Sequence, residues 1–299
     1  GLTLAKQIHY LKGELSLTAS LAVAWANKGD YSTAIKLLLS NIKYIDASND
    51  IRLKWTYYYE LSNIYRDQGD HAEALKYANA MIGLTEDVRR RSPQAPCYNC
   101  RSAYSLLALA YLKNHQLDSS KKYIHAALSY PPVPTLKGAN AHIFATAGRI
   151  QAELKNYDSA LYFYRKSIQL FQQVKHTLKG LARTYTYMAI LFDRTSARDS
   201  ALSYLHKSLA VSQSKNFARE LLETNLLLSD IYESYNTDSA LYYHKQAMTA
   251  KDSLYNQEKQ RQILSYKFNL DFQQQELENA QAQYKNRVKI YGLLAALVG

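Results

Sequence analysis

The sequence predicts an all-α fold in which helix pairs stack into a repeat array, and three observations predict it. First, Asp158-Ser159-Ala160-Leu161-Tyr162 returns as Asp199-Ser200-Ala201-Leu202-Ser203-Tyr204 and as Asp238-Ser239-Ala240-Leu241-Tyr242. Looser copies begin at Tyr31, His71 and Leu117. The small residue of each copy falls at Ala34, Ala74, Ser120, Ala160, Ala201 and Ala240, at intervals of 40, 46, 40, 41 and 39 residues. A near-constant period of that size marks stacked supersecondary units sharing one continuous core. Second, Gly (10) and Pro (5) are scarce among 299 residues, and every Pro lies outside the periodic segments. Third, no run alternates with period two for long enough to make a sheet.

Residues 2–13 read as a short amphipathic helix with Leu4, Ile8 and Leu11 on one face, forming an N-terminal cap over 1–14. The array is expected over 15–252, as pairs near 15–50, 51–92, 98–132, 135–175, 177–215 and 217–252. In the first pair Leu17, Leu21, Ala22 and Trp25 precede the turn Lys28-Gly29-Asp30, where Gly suits a left-handed helix stop and Asp caps the next helix. The second repeats this grammar with Tyr58, Leu61, Ser62 and Tyr65 before Gln68-Gly69-Asp70. The third uses Tyr104, Leu107, Ala108 and Tyr111, the fourth Phe144, Ala147 and Gly148, the fifth Tyr185, Met188, Ala189 and Phe192, and the sixth Leu228, Ser229 and Tyr232. Small residues recur where two helices must approach closely, and large ones fill the space beside them. The Asp-Ser-Ala copies are helix starts, with Asp or Ser capping. The 27 Tyr are read as core knobs between helices rather than as a platform for stacking bases.

After Ala247 the pattern changes. Asp252-Ser253 is expected to cap a long helix over 253–287, with a heptad reading through Ile263, Tyr266, Leu270, Leu277, Ala280 and Tyr284. That helix either pairs with a second copy, giving a homodimer through 263–290, or simply caps the last repeat. Residues 288–299 turn apolar after Lys289 and read as the start of a membrane span.

The net charge of +12 is spread along the chain, and Arg89-Arg90-Arg91, its one run, falls at an expected helix end where cations suit the dipole. A nucleic-acid surface is therefore not expected. Cys97 and Cys100 form a lone C-x-x-C, open to a redox pair, half a metal site or a local disulfide; the absent βαβ pattern and second Cys pair favour a local disulfide or two idle thiols. Phosphate loops, dinucleotide fingerprints, zinc-protease and nucleophile-elbow motifs are missing. No catalysis, cofactor or metal is expected of these residues.

The order large, Leu, small, Tyr, turn, Ala, aromatic, small resembles the tetratricopeptide repeat, and Tyr104, Leu107, Ala108, Tyr111, Ser120, Ile124, Ala127 and Pro132 fit it best. The period departs from the family's usual value of about 34 through longer helices and connectors. The resemblance implies a right-handed α-solenoid of about six helix pairs, followed here by the long C-terminal helix. It also implies a concave groove faced by positions two, five, nine, twelve and thirteen of each repeat. Carried onto this chain, these include Tyr59, Asn63 and Arg66, then His142 and Arg149, then Arg183 and Arg194, then Asp230 and Glu233. Guanidinium forks there suit a peptide backbone or carboxylates, although for each Arg taken alone an exposed helix residue reaching water is the better reading. The carboxylate-clamp set is not reproduced, because Tyr59 stands where a clamp has Lys.

The whole order, with Ala250-Lys251-Asp252-Ser253-Leu254-Tyr255 and Gln257-Glu258-Lys259-Gln260-Arg261 after the last repeat, resembles the sensor part of bacterial membrane histidine kinases. That implies an inner-membrane protein whose array lies on the periplasmic side, binding a peptide or protein and relaying it through the C-terminal helix. Lys285, Arg287 and Lys289 before the apolar segment favour the opposite, cytoplasmic side, which fits a membrane-anchored scaffold or chaperone-type adaptor without kinase output.

Overall fold

The computed structural model describes residues 4–5, 8, 10–27, 30–91, 100–174 and 177–254, and among them no strand occurs. The helices are α1 (Leu11–Asn27), α2 (Tyr31–Leu39), α3 (Ile42–Ala47), α4 (Ile51–Gln68), α5 (His71–Arg91), α6 (Cys100–Lys113), α7 (Leu117–Ser129), α8 (Lys137–Glu153), α9 (Tyr157–Phe171), α10 (Leu178–Arg194), α11 (Arg198–Lys215) and α12 (Ala218–Glu233). A further helix, α13, runs from 237 to 254. Gly13 lies inside α1 rather than between two helices, and the short α3 is an addition to the expected pairs. Asp252 and Ser253 start no new helix, since α13 continues through them. The helix expected over 253–287, the dimer stretch 263–290 and the apolar 288–299 otherwise lie outside the described residues.

The pairs are α1/α2, α4/α5, α6/α7, α8/α9, α10/α11 and α12/α13. Each first helix approaches the next, α1 to α4, α4 to α6, α6 to α8, α8 to α10 and α10 to α12, whereas no two of α2, α5, α7, α9 and α11 come close. Units that touch on one side and splay on the other must curve. The molecule is therefore an α-solenoid with the first helices on its concave face.

Within a pair the two backbones meet at the small residues. Ser62 Oγ donates to the Ala74 carbonyl at 2.8 Å, Ser120 Oγ to the Ala108 carbonyl at 2.8 Å and Ser229 Oγ to the Ala240 carbonyl at 3.0 Å. The same junction in the fourth pair uses Gly148, where a Cβ would sit 2.5 Å from the ring of the buried Tyr164. Three residues along from this junction, an aromatic of the first helix stacks on one of the second: Tyr65 on Tyr77 (5.8 Å), Tyr111 on Tyr123 (5.3 Å), Phe192 on Tyr204 (5.5 Å) and Tyr232 on Tyr243 (5.5 Å). These rings fill the wedge between helices, which is the role expected of core knobs.

The turn inside the second to fifth pairs is one motif repeated. Gly69, His115, Lys155 and Ser196 all take a left-handed backbone, φ 102, 58, 60 and 60 respectively. The following N–H then reaches back five residues, Asp70 to Tyr65, Gln116 to Tyr111, Asn156 to Gln151 and Ala197 to Phe192, each at 2.9 Å. This is the Schellman closure, which satisfies carbonyls left over at a helix end. Only Gly69 occupies it without a Cβ penalty. Replacing Lys155 by Gly is expected to raise stability by about 0.5–1 kcal/mol, the relief of left-handed strain outweighing the added freedom of the unfolded chain. A urea melt showing no gain for Lys155→Gly would mean that the turn is relaxed as it stands.

Helix starts differ from expectation in an instructive way. Asp30 caps as predicted, accepting from Thr33 N at 2.9 Å and from Thr33 Oγ1 at 2.8 Å, and Asp70 accepts from Glu73 N at 3.1 Å. In the Asp-Ser-Ala copies, however, the caps are Asn156 and Ala197, while Asp158 and Asp199 sit inside the first turn. There a carboxylate favours the helix through the macrodipole instead of through a cap bond.

Candidate functional site

The concave face narrows to a cavity of about 340 Å³ whose walls come from α4, α6, α8, α10 and α12, with His71 at the head of α5. Arg66, His142, Arg149 and Arg183, chosen by the repeat-position rule, all line it. A second cavity of about 500 Å³ adjoins it and shares His71, Lys113 and Arg149. The superhelix brings repeats two and five within electrostatic reach. Burial opposes the charge on Asp67 of α4, yet the cations of Arg66, Arg183 and Lys179 hold its carboxyl below the usual range.

Two of these guanidiniums are committed within the fold. Arg66 donates to Asn63 Oδ1 at 2.7 Å and, through Nε and Nη2, to Asp67 Oδ1 at 3.1 and 2.9 Å. Arg183 Nε donates to Glu220 Oε1 at 2.8 Å. Glu220 is 2% exposed, Arg183 30%, and the Lys179 ammonium stands 4.0 Å from the same oxygen. Although burial disfavours its charge, Arg183 is held above its ordinary value by Glu220. The Arg149 guanidinium instead lies over the Tyr187 ring at 4.8 Å, and among the described residues Lys113, Arg149 and Arg219 form no ion pair.

His142 presents an edge to Phe171 at 4.8 Å. Enclosure by the groove, then the Arg66 and Arg183 cations, push its imidazolium down to about 4, so it is neutral at physiological pH. Gly180 makes this arrangement possible: a Cβ there would fall 2.5 Å from Phe171 and 2.9 Å from His142.

The other predicted residues fare differently. Asn63 holds Arg66 rather than facing the cavity, and Tyr59 stacks on Trp55 at 4.9 Å. Arg194 donates to Glu153 Oε1 at 3.1 Å and lines a side cavity of about 130 Å³ with Arg149 and Tyr187. Asp230 and Glu233 are exposed and line none of these cavities. Lys113, Asp67 and Glu153, each at position thirteen of its repeat, and Glu223, at position two of the sixth, went unnamed. The same positional rule finds all four. Lys179, Arg219 and Glu220 precede the rule's first position, and no sequence signal marks them.

Glu60 lines a cavity of about 280 Å³ between α1 and α4. Burial pushes it up to about 7 against the pull of Arg66. An acid whose folded pKa is raised loses stability as pH climbs from the unfolded value of about 4.5 towards 7, and the loss then stays constant. Glu60→Gln is therefore expected to stabilise the fold above pH about 7 by about 1–2 kcal/mol, solvent at the half-buried carboxylate reducing the full linkage value. Below pH about 4.5 the gain should vanish, and urea melts across that range check it.

Cys100, the first residue of α6, is fully buried and disulfide-bonded; Cys97 lies outside the described residues. Among the described residues, no group of three or more His, Cys, Asp or Glu is placed to hold a metal ion. The expectation of an inner-membrane protein with a periplasmic array is corrected: among the described residues no helix is long and apolar enough to cross a membrane. The segment 288–299 that prompted the expectation is not among the described residues.

Residues 56–87, spanning most of α4 and α5, match the tetratricopeptide repeat family model. No curated protein matches the chain. Solved structures that share the fold include the following three. Cut9–Hcn1, an APC/C hetero-tetramer, aligns with TM-score 0.60 and 10% identity over 80% of this chain and 42% of that one. BtubC (BKLC) from P. vanneervenii aligns with TM-score 0.55 and 16% identity over 74% and 90%. A STAND signal-transduction ATPase with a tetratricopeptide repeat sensor, from Pyrococcus horikoshii, aligns with TM-score 0.52 and 14% identity over 81% and 37%. The architecture is a tetratricopeptide-type α-solenoid, a fold whose concave surfaces generally bind peptides or proteins.

Proposed function

We propose that the array is a non-catalytic interaction module that holds an acidic peptide segment of a partner protein in its concave groove. The observation that carries this is the convergence of Arg66, Lys113, Arg149 and Arg183, from four successive first helices, on one cavity. The opposing carboxylates are partly spent, Asp67 on Arg66 and Glu220 on Arg183, which leaves Lys113, Arg149 and Arg219 to meet charge from outside. Cations lining a walled groove raise the local concentration of anionic ligands and speed their encounter. Fluorescence anisotropy with a labelled Asp-rich peptide and a Lys-rich peptide of equal length tests this. The Asp-rich peptide should bind, more weakly as salt rises; equal binding of both, or preference for lysine, would refute it.

A finer reading makes the array the partner-sensing part of a signalling protein of the histidine-kinase type, with the chain after α13 carrying the response. The strings from Ala250 to Tyr255 and from Gln257 to Arg261 support it, as does the fold shared with a STAND protein whose repeats are described as a sensor. Hydrogen exchange in α13 should then change when the Asp-rich peptide binds. Unchanged exchange would leave a scaffold or adaptor role.

A further inference from the structure

Resting on the acidic-peptide reading, we infer that Lys113, Arg149 and the His71 imidazole form a seat for a phosphorylated side chain of the bound segment. Three independent observations meet at this point of the groove. The cavities of about 340 and about 500 Å³ have these three residues in common, so the three stand where one cavity opens into the other.

The second observation is an unrelieved repulsion. Lys113 of α6 and Arg149 of α8 form no ion pair among the described residues. Enclosure, and next the Arg149 cation, hold the Lys113 ammonium below its ordinary value. Arg149 cannot swing away freely, because its guanidinium is laid on the Tyr187 ring at 4.8 Å. Nearby carboxylates do not cancel the pair. Glu153 is taken by Arg194 at 3.1 Å, and Glu223 on α12 only partly offsets Lys113.

The third is an orphan. His71 Nδ1 is buried without a hydrogen-bond partner, while the His71 carbonyl accepts from Asn114 Nδ2 at 3.1 Å, which fixes the residue at the head of α5. Burial lowers the imidazole pKa, so near neutral pH the ring is uncharged and one tautomer donates from Nδ1. A buried polar atom left without a partner is costly, and a ligand oxygen would supply one.

Two cations and one neutral donor around the shared opening match a phosphomonoester better than a carboxylate. A carboxylate brings one negative charge, whereas a phosphoserine brings about 1.5–2 and three acceptor oxygens, enough to meet all three groups at once.

The test compares labelled Asp-Asp-Ser-Asp-Asp with its phosphoserine counterpart by anisotropy, on the wild type and on Lys113→Met/Arg149→Gln, with circular dichroism to check that both are folded. The phosphopeptide is expected to bind about ten-fold more tightly than the serine peptide, and the ratio to fall to about two or below in the double variant. A ratio near one in the wild type, or a ratio the double variant leaves unchanged, overturns the seat. Inorganic phosphate, followed as a rise in melting temperature, separates the two readings. If neither peptide binds but phosphate stabilises the wild type and not the variant, the oxyanion seat stands and the acidic-peptide reading falls. If neither peptide binds and phosphate stabilises both proteins equally or neither, the seat falls as well.

Discussion

Arg183→Met is expected to lower the stability of the array by about 3–5 kcal/mol, the usual cost of leaving one member of a buried ion pair without its partner. Glu220 is the member left behind, at 2% exposure, with only the Lys179 ammonium 4.0 Å away. The reverse change, Glu220→Gln, should cost less, since Arg183 is 30% exposed and can turn to water. Converting both, Arg183→Met with Glu220→Met, should recover most of the loss, because well-packed apolar groups of similar volume replace buried pairs with little penalty. The damage should also be local. Repeat arrays are stabilised by nearest-neighbour interfaces, so hydrogen exchange should quicken in α10 to α13 while α4 and α5 hold. Urea melts give the energies, and a loss below about 0.5 kcal/mol for Arg183→Met would show that solvent reaches Glu220 after all.

Much of this architecture could be read from the chain because its determinants are local. Ala160, Ala201 and Ala240 mark each junction by side-chain size alone, and Tyr65, Tyr111, Phe192 and Tyr232 follow three residues after the small residue of their own helix. The groove positions are local too, since facing inward depends only on register within a first helix. That is why Arg66, His142, Arg149 and Arg183 were found together. Two things were not legible. Lys155 and Ser196 adopt the left-handed turn without glycine, because the Schellman bond that closes each turn outweighs a small backbone strain. The pairing of Arg183 with Glu220, and the field of Arg183 at Asp67, depend on the summed rotation from one repeat to the next. That rotation is set by packing at every interface, and no stretch of sequence states it.

If the groove binds acidic segments, Arg149→Glu should weaken the Asp-rich peptide by about 100-fold, or about 2.7 kcal/mol. The reversal changes the local charge by two units at the point where both cavities meet. At an effective dielectric of about 20, one contact of unit charges at about 4 Å is worth about 4 kcal/mol, so losing one attraction and gaining one repulsion, screened by solvent and salt, accounts for a change of that order. Stability should change little, because Arg149 has no carboxylate partner among the described residues and its contact is with the Tyr187 face. The control is Lys207→Glu on α11, which alters net charge identically but lies on an outer helix over Tyr204. If binding depended on overall charge, both reversals would weaken it alike. Binding in the groove requires that Lys207→Glu stay within about two-fold of the wild type, and that the Arg149→Glu defect shrink as salt screens the repulsion. Equal losses in the two variants would move the partner's site off the concave face altogether.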